Sequence, residues 1–365
     1  MNKKITYSKV GDNYDTKDPI KKLAQVAARE TKIENANFSE ITKSRGESAF
    51  VWQVGKQLLA SVVEGLGTKN LVADETRKIT GKTYYDIIGH DTVASIINDL
   101  ISVGAKPLVL HAYWAIEDNA WLLDEKRMSD LILGWASACR ISGATWGGGE
   151  TPTLKGIVEK NTIDLGGSAI GLIKNKKYLI TDDKLKAGDR IIFIKSNGIN
   201  ANGLSLARAV SKKLKKGYGT KLPSGKIYGE EILTKTNIYA HLIQELLDSN
   251  INIHYISNIT GHGLRKVMRA RGNFTYVIEK IFTPQEIFVF IQEQASLTDP
   301  EIYDTYNMGQ DYALFVGKND VEKTMNIISK NKFLPLDAGF IEKGERQVII
   351  KPKNITFSAQ TLDLR

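Results

Sequence analysis

Five carboxylates stand beside glycines or inside apolar runs of this chain: Glu64, Asp91, Asp99, Glu150 and Asp164. Acids scattered along a sequence but gathered in space suit a hard divalent cation such as Mg2+. That ion takes a few protein oxygens and completes its shell with water and substrate phosphates. The stretch "VVEGLGTK" extends the idea, since Glu64 is followed by Gly65, Gly67, Thr68 and Lys69. Glycines let backbone amides approach phosphate oxygens, and a lysine neutralises them. The spacing fits neither the G-x-x-x-x-G-K-[ST] loop nor G-x-G-x-x-G. A plain glycine turn has the same composition.

Three further loops carry polar groups. "WGGGETP" offers a tight bend at Gly149 that presents Glu150 and Thr151, and "IDLGGSAIG" starts a strand at Asp164. "SNGINANGLSLARAV" reads as a strand-to-helix loop with Asn197, Asn200 and Asn202, and "NITGHGLRK" repeats that design with Thr260 and Gly261. Free amides at a helix start favour anions; simple capping by Asn202 is the alternative. The histidines at 90, 111, 241, 254 and 262 lack zinc spacing, and the single cysteine, Cys139, allows neither an intrachain disulfide nor a thiolate cage. No G-x-S-x-G elbow is present.

These side chains need elements to hold them. Alternating or apolar runs predict strands at 57–63, 107–112, 163–173, 190–195, 274–281, 312–317 and 346–351. Helical periodicity predicts helices at 20–31, 91–103, 126–142, 204–215, 230–249, 263–269, 284–295 and 321–330. The fold class is α/β or α+β. In the helix from Asp91, steps of about 100° gather Val93, Ile96, Ile97, Leu100 and Val103 on one side. Asp91, Ser95, Asn98 and Ser102 fall on the other, expected to be solvated. Asp99 lies at the margin, where a carboxylate needs a cation or donors.

At 365 residues the chain suits two domains. The charged, turn-rich segment "KNKKYLITDDKLKAGD" marks a boundary, giving domains 1–174 and 175–365. The formal charge is +9, which favours anionic partners. The basic residues are dispersed and no aromatic-laced basic stripe appears, so nucleic acid is not the expected partner. No apolar run is long enough for a membrane span, and the start has no apolar signal region. A cytoplasmic setting is expected.

The order of the loops carries a resemblance. "YSKVGDNYD", "EGLGTK", "IGHDTVASIINDLISVGAKPL", "GGGET", "DLGGSAIG", "SNGINANGLSLAR", "ITGHGL" and "YNMG" follow one another as in the phosphoribosylformylglycinamidine cyclo-ligase (aminoimidazole ribonucleotide synthetase) family, over nearly the whole chain. The resemblance implies two AIR synthetase-like α/β domains, the first forming a barrel-like core with that of a second subunit in a homodimer. It implies ATP near that interface, touching Gly65, Gly67, Thr68, Lys69, Asp91, Asn98, Gly149, Glu150 and Thr151. It implies Mg2+ on Glu64 and Asp99, and a ribonucleotide substrate facing Asn197, Asn200, Asn202, Thr260 and Gly261. Asp99, Lys69 and Asn200 are the implied catalytic residues. The implied reaction closes the imidazole ring of 5-aminoimidazole ribonucleotide in purine biosynthesis, at the expense of ATP.

The chain also departs from that pattern. Asn200 stands where many members have histidine, and an amide cannot shuttle a proton near neutral pH. Glu64 stands where aspartate is usual, and His262 where glycine is usual. His262 either supplies the missing imidazole or is a surface-loop histidine. "NFSEITKSRGESAF" replaces a glycine-rich segment, which puts ATP contacts there in question. Two other functions compete: a sister ATP-dependent enzyme of the superfamily, such as a thiamine-monophosphate kinase, and a non-catalytic basic binding protein on the same scaffold.

Overall fold

The computed structural model describes residues 4–6, 14–33, 35 and 37–362. Residues 7–13 of the "YSKVGDNYD" motif lie outside them. Two sheets organise the chain. The first has six strands in the order β1-β2-β3-β6-β4-β5: β1 (Phe38–Glu40), β2 (Phe50–Val54), β3 (Gln57–Gly65), β4 (Lys106–Ile116), β5 (Thr145–Glu150) and β6 (Ile163–Ile173). The second has seven, in the order β13-β12-β9-β11-β7-β10-β8: β7 (Arg190–Lys195), β8 (Ile253–Asn258), β9 (Phe274–Ile278), β10 (Gln310–Val316), β11 (Pro335–Lys343), β12 (Gln347–Ile350) and β13 (Ile355–Ser358).

Four helices accompany the first sheet: α1 (Tyr14–Glu30), α2 (Lys69–Thr80), α3 (Tyr85–Ile101) and α4 (Glu125–Ser142). The α3 apolar side packs on the sheet and α4 packs on α3. That approach needs Gly134, because a Cβ there would lie 2.1 Å from the Asp86 carbonyl oxygen. The other face of the sheet is uncovered, with Val63 77%, Leu108 42% and Tyr113 42% exposed. The second sheet is flanked by α5 (Leu204–Ser211), α6 (Tyr228–Ile232), α7 (Ala240–Asp248), α8 (Glu286–Ala295), α9 (Asp299–Tyr303) and α10 (Val321–Lys330). Every residue of β10 is buried, as expected of an inner strand with both faces covered.

Three expectations need correction. The polar side of α3 is not solvated: Asp91, Asn98, Asp99 and Ser102 are all buried. The second domain lies on it. Tyr312 hydroxyl donates to the Asn98 carbonyl at 2.8 Å, and Asn258 amide to Asp99 Oδ1 at 2.8 Å. The helix expected at 230–249 breaks into α6 and α7, because residues 234–239 run without regular structure and give their backbone groups to α2 and α3. "WGGGE" is not a bend but the edge strand β5, paired in parallel with β4. Gly149 permits it, since a Cβ there would sit 2.1 Å from the Ala112 carbonyl oxygen.

Candidate active site

A polar cavity of about 380 Å³ opens between the two sheets. The first domain supplies Glu64 from the end of β3, Asp99 from α3, Gly46, Glu47 and Ser48 from the loop before β2, and Lys21 and Gln25 from α1. The second supplies Asn202, Thr260, Gly261, His262, Lys266 and Arg269. The segment that replaces the glycine-rich stretch therefore does line the cavity.

Glu64 and Asp99 share one end of it. Glu64 remains exposed as a residue, yet the packing around its carboxyl, then the Asp99 charge, push it up to about 7, against the pull of Lys266 and Arg269. A carboxyl raised by burial and by a neighbouring carboxylate marks a place where a cation would relieve the repulsion. Opposite them, Lys266 is pushed down to about 8 by burial and by Arg269, with Asp99 and Glu64 working the other way. Its ammonium donates to Thr260 Oγ1 at 2.9 Å. His262 is buried and held down to about 2 by burial and by the Lys266, Arg265 and Lys21 cations. It is thus neither a surface histidine nor a charged one at neutral pH.

Other expected site residues sit elsewhere. Lys69 and Asp91 pair with each other at 2.5 Å, with no solvent exposure on either side chain. Lys69 also donates to the Thr234 carbonyl at 3.0 Å, and Asp91 Oδ1 accepts from the Thr236 amide at 2.9 Å. Asn98 is spent on the same seam: it donates to the Asn237 carbonyl at 2.8 Å and accepts from the Tyr239 amide at 3.1 Å. Asn197 donates to Asn237 Oδ1 at 2.7 Å. Gly67 and Thr68 form the turn into α2, with Gly67 at φ +72°. Gly65 borders a second, apolar groove of about 510 Å³ on the uncovered sheet face, with Val63, Glu64, His111 and Tyr113. Glu150 pairs in register with Tyr113 at that groove's edge, with Gly149 before it and Thr151 after. Asp164 pairs with Ala115 on the same sheet.

Sequence reasoning did not single out Lys21, Glu47, Lys266 or Arg269. Lys266 and Arg269 lie three residues apart after "TGHG", the spacing of neighbours on one side of a helical turn, and that is the signal that could have found them. Among the described residues, no group of three or more His, Cys, Asp or Glu side chains could hold a metal ion. A cation here would rest on the two carboxylates, which fits Mg2+ completed by water and phosphate oxygens.

Two α/β domains with a polar cavity at their seam define a known class of fold. The hydrogenase maturation protein HypE in complex with ATP shares it with a TM-score of 0.58, at 14% identity over 80% of each chain. The thiamine-monophosphate kinase of Stenotrophomonas maltophilia K279a shares it with a TM-score of 0.57, at 14% identity over 84% of this chain and 90% of that one. At such identities the likeness shows the fold alone.

Sequence narrows the class. The N-terminal domain of AIR synthase related proteins matches residues 46–173, and the C-terminal domain of the same proteins matches 186–350. The chain belongs to that family and is an enzyme of it. The phosphoribosylformylglycinamidine cyclo-ligase of Methanothermobacter thermautotrophicus is 30% identical over 89% of this chain and 91% of its own. Those of Methanocaldococcus jannaschii and Clostridium perfringens are 32% and 31% identical, over 83% and 95% of this chain and 86% and 100% of theirs.

Proposed function

We propose that this enzyme is an ATP-dependent cyclo-ligase that closes formylglycinamidine ribonucleotide to 5-aminoimidazole ribonucleotide in purine biosynthesis. One observation carries the reading. Glu64 and Asp99 face Lys266, Arg269 and Lys21 across a single cavity, an arrangement of acids for a metal and cations for phosphate. Phosphoryl transfer is chiefly positioning and charge neutralisation, and needs little else from a protein. The relatives at 30–32% identity are named for this reaction, whereas the kinase neighbour shares the fold at 14%. A non-catalytic basic protein would have no use for two carboxylates gathered at one end of a cavity otherwise lined by cations.

Glu64 and Asp99 would hold Mg2+, which supplies charge neutralisation for the triphosphate. Lys266 and Arg269 neutralise phosphate oxygens from the second domain. The triphosphate lies in the polar cavity, and the adenosine lies over the apolar groove beside Gly65 and Tyr113, because Glu64 borders both. Gly149 and Glu150 pair with Ala112 and Tyr113 of that groove, with Thr151 next in the chain, and Gly67 and Thr68 follow Gly65 into α2. Lys69, Asp91 and Asn98 act from the seam behind the site. Asn202, Thr260 and Gly261 face the ribonucleotide, with Asn197 and Asn200 in support.

The uncovered sheet face, rich in Val63, Leu108 and Tyr113, is the surface on which a second copy closes the barrel-like core of a homodimer. Residues 1–174 form the nucleotide and dimerisation domain and 175–365 the second domain. No described helix is long and apolar enough to cross a membrane, and we place the enzyme in the cytoplasm. Nucleic acid is not a partner. The test is ADP release coupled to an indicator reaction, with ATP, Mg2+ and formylglycinamidine ribonucleotide. Turnover that requires the ribonucleotide is expected, and none from folded, metal-replete protein would remove the assignment.

A further inference from the structure

Asn200 sits on the loop between β7 and α5, 5% exposed, at φ +57°. Its side-chain nitrogen donates to Asp311 Oδ1 at 2.5 Å. The other Asp311 oxygen accepts from the Tyr239 hydroxyl, also at 2.5 Å. An ionised carboxylate only accepts, so Asp311 dictates which way the Asn200 amide faces. The NH2 turns to Asp311, and the carbonyl oxygen is left buried without a protein donor. Leaving such a group unpaired forfeits the hydrogen bond it would make to water in the unfolded chain. A ligand donor is the economical remedy.

The loop that carries Asn200 borders the polar cavity. Asn202, two residues on, lines the polar cavity, as do Thr260 and Gly261. Those two follow Ile259, whose amide donates to the Asp311 carbonyl at 3.0 Å. Asp311 therefore tethers both second-domain loops at the cavity. Phosphate oxygens, being acceptors, cannot complement a carbonyl, so the partner group is an N–H or O–H donor and not a phosphate; the nucleotide arm of the test below separates a substrate N–H from a donor on ATP.

We propose that Asp311 is a positioning residue that holds Asn200 with its carbonyl turned away from Asp311 as an acceptor, to recognise an amide or amidine N–H of the substrate. The inference rests on the cyclo-ligase reading and names the part of the substrate that this loop selects. Asn200 orients the nitrogen-bearing arm and takes no proton from it. This accounts for an asparagine at a position where an imidazole would carry both roles.

The test compares Asn200→Gly, Asp311→Asn and the double variant. Glycine suits the positive φ, so Asn200→Gly removes the amide without straining the loop. Each single variant is expected to lower kcat/KM for formylglycinamidine ribonucleotide on the order of tenfold or more, with the affinity for a non-hydrolysable ATP analogue, read by calorimetry, unchanged. The double variant should be no worse than Asn200→Gly, because Asp311 acts through Asn200. Additive losses would overturn the positioning role. Wild-type kcat/KM in Asn200→Gly, or a parallel loss of nucleotide affinity, would overturn the recognition. Should Asp311→Asn fail to fold, Asn200→Gly decides alone. Wild-type protein that turns over no ribonucleotide would instead overturn the cyclo-ligase reading, and this inference with it.

Discussion

The Lys69 ammonium lies 2.5 Å from Asp91 Oδ2, and neither side chain touches solvent. This pair joins the start of α2 to α3, and through the Thr234 carbonyl and Thr236 amide it fastens both to the second domain. Removing one member of a buried pair strands a charge, which costs about 3–5 kcal/mol. Lys69→Met should lower the unfolding free energy read from a urea titration by that measure, and Lys69→Met with Asp91→Asn should recover much of it. Folded Lys69→Met should bind an ATP analogue as wild type does. A large loss of nucleotide affinity at unchanged stability would instead put Lys69 on the phosphates.

Asp99→Asn keeps the shape of the side chain and a carbonyl oxygen for the Asn258 donor at 2.8 Å. The fold should survive with an unchanged far-UV spectrum. Ribonucleotide-dependent ADP release should fall by about 10²-fold or more, the scale of losing a charge aligned with a transition state. Wild-type turnover would take Asp99 out of the chemistry.

Lys266 is the buried cation opposite the two acids. Hydrogen bonds to charged groups contribute about 1.5–3 kcal/mol. Lys266→Met should therefore weaken binding of the ATP analogue by roughly 10–100-fold in titration calorimetry. The same substitution at Lys212, on α5's C-terminal side and outside this cavity, should leave that affinity alone.

Val63 and Tyr113 offer their apolar surface on the uncovered side of the first sheet. An aspartate in place of either places an unpaired charge where a second subunit would dock. Sedimentation should give a dimer for the wild type and a monomer for Val63→Asp. A monomeric wild type at micromolar concentration would remove the dimer from the proposal.

Asp311 gives a pH test of stability. Burial raises its carboxyl to about 6, despite hydrogen bonds from Tyr239, Asn200 and Asn237. A carboxyl raised above its unfolded value of about 4 stabilises the fold fully below that value, and the contribution is lost as pH climbs through 6. Relative to wild type, Asp311→Asn should gain in melting temperature between about pH 4 and 6 and hold that gain to pH 8. The rise corresponds to ~3 kcal/mol. A flat difference would place Asp311 in the ordinary carboxylate range.

Local pattern made some of this legible. The strands Ile163–Ile173 and Arg190–Lys195 and the helix Val321–Lys330 stand where alternation and periodicity put them. The pairing of Glu64 with Asp99 followed from motif order rather than from periodicity. What escaped depends on the seam. No pattern in α3 tells solvent from a second domain, so Asn98 and Ser102 read as wet although Tyr312 and Tyr239 cover them. The helix α2 went unseen because its glycine-rich approach looked like the whole of a loop. The chain at 234–239 read as helix because nothing local reveals that Lys69, Asp91 and His90 claim its backbone.

That seam has a consequence for ligand choice. The acids and the lysine belong to different domains, and the innermost tie behind them, Lys69 to Asp91, is sealed from solvent and salt, while exposed pairs such as Lys235 with Asp86 only reinforce the rim. The separation of acids and lysine works like a calliper locked at one opening. A reactant must bring the right length of its own to span it, so discrimination here is a matter of reach before it is a matter of affinity.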